Sequence, residues 1–168
     1  MMAEKKQEKV YDYEGFNLSM AAMDTLPVIF FIISALTLSG RFSSRSFCVG
    51  AVFVSVAGTL KVCWKFVLAL AHKNVRFLNR QMRHLMPAGF ALMLLGLIVD
   101  HRRWSISAIC SGIFSFPAII FFVLGAVGIG RMFYLARHNN QMNAHANWIE
   151  QWTNALTQLC FMIGILLA

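Results

Sequence analysis

The chain has 168 residues, 58% of them hydrophobic and 13% charged, where a soluble domain carries about a quarter charged residues. With a mean hydropathy of +0.63, that composition excludes an ordinary soluble core and a soluble catalytic domain beside it, and it predicts an all-α integral membrane protein. The net charge of +8 does not argue for nucleic acid, because lysine and arginine gather in the cytoplasmic loops of membrane proteins.

Residues 1–16 read as a solvated tail of mixed charge, followed by a single transmembrane domain over 17–168. No small-residue cleavage site follows the first apolar run, so that run is expected to stay as an anchor. A spanning helix needs about 20 mostly apolar residues. The first candidate covers 18–39 and ends at Gly40 and the polar run RFSSRS. The second covers 47–71 and contains GTLKVCWK, with two lysines inside an apolar stretch. The third, 75–99, starts in the basic segment HKNVRFLNRQMRH. The fourth, 106–136, exceeds one bilayer thickness, with Pro117 as its expected kink. The fifth, 148–168, runs to the end of the sequence without a polar tail. The expected architecture is therefore a bundle of about five transmembrane helices, or four if the last does not span.

Orientation follows from the basic residues near the segment ends. Lys5, Lys6, Lys9, Lys73, Arg76, Arg80, Arg83 and Arg137 fall on one side, and Arg41, Arg45, Arg102 and Arg103 on the other. Eight against four predicts a plasma-membrane protein with its N-terminus inside and its C-terminus outside.

The two lysines of GTLKVCWK pose the main chemical question. A charge at that depth is costly, and intramembrane charges face the bundle interior and pair. Lys61, Lys65 and His72 share one stripe of the second segment, while Asn17 and Asp24 share a face of the first. At about 1.5 Å per residue, Asp24 lies roughly 9 Å from the inner end of its helix, Lys65 roughly 10 Å and Lys61 roughly 16 Å. Lys65 and Arg131 are close enough to the interface to snorkel, which leaves Lys61 as the expected partner of Asp24. On the fifth segment Glu150, Asn154 and Gln158 recur every four residues. The candidate binding set is Asp24, Lys61, Lys65, Arg131, Asn154 and Gln158, all in the inner half of the bundle.

Arg76, Arg80 and Arg83 lie on one helix face before the third apolar run, a placement suited to anionic lipid headgroups of the inner leaflet. Small residues crowd the fourth segment, and Ala126 and Gly130, four apart, mark a face for close helix approach. The four cysteines show no CxxC spacing and read as small buried hydrophobes, with a Cys48–Cys110 bridge as the one pairing to test. No histidine spacing is diagnostic of haem or metal, so neither cofactor nor metal is expected. The chain has no Ser–His–Asp arrangement, no phosphate loop and no HExxH.

These readings lead to an expected function: binding and moving a small polar or anionic solute, or a proton, through a polar inner cavity. Five helices are few for a monomeric transporter, so a homo-oligomer or a larger membrane complex is expected. Two alternatives stand beside it, an accessory or scaffold subunit and a membrane-embedded enzyme acting on a lipid or isoprenoid. The enzyme reading is the weaker, for want of a nucleophile–base pair.

Overall fold

The computed structural model describes residues 17–71, 75–138 and 144–168. The N-terminal tail with Lys5, Lys6 and Lys9, the linker residues His72 and Lys73, and the Arg76 side chain lie outside the described residues. All regular structure among the described residues is helical.

Helix α1 (Leu18–Met23) opens on Asn17, whose Oδ1 accepts from the Met20 amide at 2.9 Å, an N-cap that satisfies one orphan donor of the first turn. Asp24 interrupts the run, and α2 (Thr25–Phe42) continues it. Pro27, the third residue of α2, sits where the missing N–H costs nothing. Together the two segments form a 25-residue apolar span. Ser43 ends α2 in the left-handed region at φ 48°, and buried Ser44 caps the following helix, its Oγ accepting from the Phe47 amide at 3.2 Å. Helix α3 (Arg45–Ala71) then runs back.

Gln81 joins the short α4 (Arg76–Arg80) to α5 (Met82–Val99). The 18 residues of α5 rise about 27 Å, a little less than the roughly 30 Å hydrocarbon core. A 3₁₀ turn at His101–Arg103 follows. There Trp104 Nε1 donates to Leu97 O at 3.0 Å, and Arg103 Nη1 donates to Ser43 O at 2.9 Å, tying the two loops of this end together.

The expected single fourth helix is two. Helix α6 (Ile106–Ile113) and α7 (Ala118–His138) are separated by a turn in which the Phe116–Pro117 peptide is cis. Helix α6 stops at Ile113, and Pro117 immediately precedes α7 instead of kinking a continuous helix. Helix α8 (Ala144–Leu167) closes the described chain.

Glycine contacts set how the helices pack. A Cβ at Gly50 would lie 2.5 Å from Gly89 O, one at Gly89 would lie 2.6 Å from Val54 Cγ2, and one at Gly96 would lie 2.5 Å from the Phe47 amide nitrogen. The backbones of antiparallel α3 and α5 are thus in direct contact, as small interfacial residues permit. Helices α7 and α8 form a second antiparallel pair, with Gly125 against the Phe161 ring and Gly128 against Thr157. Helix α2 bridges the pairs, packing on both α3 and α8. The expected Ala126–Gly130 contact is not made: both residues are exposed, and a Cβ at Gly130 meets nothing within 4 Å. The packed face is one residue step away, about 100° round the helix.

Four helical stretches are long and apolar enough to cross a membrane: Leu18–Phe42, Arg45–Ala71, Met82–Val99 and Ala118–His138. Helix α8 has the length but not the hydropathy, because its first 15 residues include Asn147, Glu150, Gln151, Asn154 and Gln158. All four cysteines are free. Cys48, Cys63 and Cys110 are exposed on the bundle surface, not buried as expected, and the Cys48–Cys110 bridge is not formed.

A polar cavity between α2, α3, α5 and α8

Asp24 stands at the break between α1 and α2, where its carboxylate leaves the helix surface toward α3. It forms an ion pair with Lys65, each side chain 12% exposed. Gln151 of α8, 6% exposed, completes the arrangement. With its amide turned to satisfy both neighbours, its nitrogen donates to Met20 O at 3.1 Å and its oxygen accepts from Lys65 Nζ at 3.2 Å. Three helices thereby converge on one ammonium. The partner of Asp24 is Lys65 and not Lys61 as expected. Snorkelling would have taken Lys65 outward, but a carboxylate and an amide at its own depth hold the head group inside.

Lys61 lies one turn further from the α1 end of the bundle. No ion pair to it occurs among the described residues. Its side chain lines a cavity of about 320 Å³, together with Asp24, Lys65, Glu150, Asn154 and Gln158. On a helix, like charges four residues apart repel; Asp24 pairs with Lys65, and Glu150 is the second carboxylate of the cavity. Gln151 contacts Lys65, so Glu150 stands near the Lys65 level and Lys61 about a turn deeper, abreast of Asn154. The cavity therefore has acidic and amide groups toward one end and, further in, an ammonium with no ion-pair partner among the described residues. Apolar residues complete the wall, among them Met82, Met86 and Met132. Phe31 and Phe90 meet edge to face at 6.3 Å at its deeper end, just short of the Gly50–Gly89 backbone contact.

Five of the six expected binding residues line this cavity. Arg131 does not. It is exposed and borders a separate groove with His145, Trp148 and Trp152, while Met132, one step along α7, faces the cavity. Sequence reasoning missed Gln151, Asn147 and the methionines. Asn147, Gln151, Asn154 and Gln158 recur at spacings of four, three and four, the pattern of one helix face, so the amide stripe was readable in full. Arg80 and Arg83 are both exposed, near an outward-facing Phe77. Among the described residues no group of three or more His, Cys, Asp or Glu side chains is placed to hold a metal ion.

The fold and cavity define a helical bundle with four membrane-length apolar helices and a cavity lined by polar and charged side chains toward one end. No family model matches the chain, and no curated protein or solved structure is significantly similar to it.

Proposed function

We propose that this chain is an integral membrane protein that binds a small anionic or polar solute in the α2–α3–α5–α8 cavity and carries it across the bilayer. The observation behind this reading is Lys61, a cation without an ion-pair partner among the described residues, in a cavity whose other cation is already matched by Asp24. A half-buried charge without an ion-pair partner is costly at that depth in a membrane, and a solute with a carboxylate or phosphate group supplies that partner. Asn154 and Gln158 offer donors and acceptors beside the head group, and the methionines adapt to the solute body.

In this reading α8 is the fifth span, its polar half shielded from lipid by α2 and α7. The cavity opens on the side bearing α4 and the end of α7, which the excess of basic residues assigns to the cytoplasm. Glycine packing beyond Phe31 and Phe90 closes the other side, as alternating access requires of one of its states. A homo-oligomer would supply the lipid-shielded area that a small bundle lacks.

The test is thermal unfolding of the purified protein with a panel of small carboxylates and phosphates, each at saturating concentration. A ligand at 100 times its dissociation constant stabilises by about 2.7 kcal/mol. At least one compound should raise the melting temperature of the native chain and leave Lys61→Met unchanged. The reading fails if none protects, or if the variant is protected equally.

A further inference from the structure

A second cavity lies at the opposite end of the bundle, where α2 ends and α5 gives way to α6. Its volume is about 660 Å³, within the roughly 300–1,000 Å³ of ligand sites. Leu38 of α2, Ile109 and Ile113 of α6, Phe122 of α7 and Ile165 of α8 supply an apolar wall. Its charged side chains are two arginines, Arg41 in the last turn of α2 and Arg103 in the 3₁₀ turn, two elements joined by the Arg103–Ser43 hydrogen bond. Ala168, the last residue of the sequence, also lines it.

The two cations differ in commitment. Arg103 is fixed by Ser43 O and has Asp100 Oδ1 3.5 Å from its Nε, so part of its five-donor fork remains available. Arg41 has no ion-pair partner among the described residues and is exposed. Trp104 lines the same cavity with its indole N–H anchored to Leu97 O, at the level where aromatic residues mark a membrane–water interface. An apolar slot beside a pair of guanidiniums at that level matches one kind of molecule in both its parts. A small free anion would satisfy the arginines and leave the wall unused, and an uncharged hydrocarbon would do the reverse.

We propose that this groove is a binding site for an anionic phospholipid, its phosphate at Arg41 and Arg103 and one acyl chain along Leu38, Ile109 and Ile165. The site is separate from the Arg76, Arg80 and Arg83 stripe, which lies at the other end of the bundle. It depends on this end reaching a bilayer surface, and it is independent of what the polar cavity binds.

The test is native mass spectrometry of the delipidated full chain, in a background with Arg76, Arg80 and Arg83 changed to glutamine so that the other basic stripe adds nothing. Phosphatidylglycerol is titrated against phosphatidylcholine of the same chains, with inorganic phosphate as a third arm. One phosphatidylglycerol should bind at least tenfold more tightly than phosphatidylcholine. Arg41→Gln should weaken it roughly tenfold, as expected for loss of one charge-assisted hydrogen bond. Ile109→Trp, which keeps both arginines and fills the wall, should weaken it comparably. Equal binding of the two lipids overturns the proposal, as does undiminished phosphatidylglycerol binding in either variant. Competition by inorganic phosphate at concentrations comparable to the lipid's would replace it with a soluble-anion site.

Discussion

Asp24 and Lys65 form an ion pair across α2 and α3, and Lys61, on the same stripe of α3, is left without an ionic partner among the described residues. The two lysines thus divide their roles. Lys65 joins helices, with Gln151 of α8 as a third member, and in the proposed function Lys61 is the cation that meets the solute.

The pairing makes a prediction about stability. Lys65→Met should leave the Asp24 carboxylate stranded, and Asp24→Asn should strand the ammonium. In soluble proteins, breaking a buried pair in this way costs about 3–5 kcal/mol. The residual exposure of both side chains moves the expected loss toward the lower end. The double variant should recover much of it. A double-mutant cycle by denaturant unfolding in detergent measures the coupling, and additive losses would show that the contact contributes nothing.

Lys61 should behave in the opposite sense. Since it has no ion-pair partner to strand among the described residues, Lys61→Met should not destabilise the bundle, and it should stabilise it to the extent that the unpaired charge is costly at that depth. The same variant should lose solute uptake in proteoliposomes. A marked loss of stability would place Lys61 in the structural network and remove its special standing in the cavity.

Close packing separates two glycines that look alike in sequence. Gly89→Ala brings a Cβ to 2.6 Å from Val54 Cγ2 and 2.8 Å from Gly50 O, and overpacking of that kind costs about 1–3 kcal/mol. Gly130→Leu enters open space and should leave the unfolding midpoint of the monomer unchanged. Comparing the two in one detergent reveals which face of each helix is packed. A drop in oligomer size with Gly130→Leu would assign that face to a partner copy.

Topology is open to direct measurement. In a cysteine-free background, single cysteines at Ser43 and Arg102 should react with an impermeant maleimide added outside intact cells. Cysteines at Arg80 and Arg137 should react only after permeabilisation. The reverse pattern would turn the bundle over and place the polar cavity on the outer face.

Much of the architecture was legible because it is local. Runs of apolar residues mark the spans, and the i, i+4 spacings of Lys61–Lys65 and of the α8 amides mark polar faces. The depth estimate even set Asp24 beside Lys65, at roughly 9 and 10 Å. The snorkelling argument then turned the choice to Lys61, because it treated α3 as a lone helix in lipid. Arg131 was misplaced for a related reason, since periodicity along α7 says nothing about which azimuth faces α2.

What the sequence alone determined is the chemistry along each helix: the apolar lengths, the charges embedded in them, and the amide stripe on α8. Those features depend on residues within a few turns of one another, and helical geometry converts them directly into faces. Only the tertiary structure decided how the faces meet. It selected Lys65 for Asp24, brought Gln151 to the same ammonium, packed Gly125 and Gly128 in place of Ala126 and Gly130, and split the fourth segment at Pro117. Each of those outcomes depends on the rotation of a helix relative to its neighbours, and rotation is set by side-chain volumes on helices far apart in the chain, beyond the reach of any local pattern.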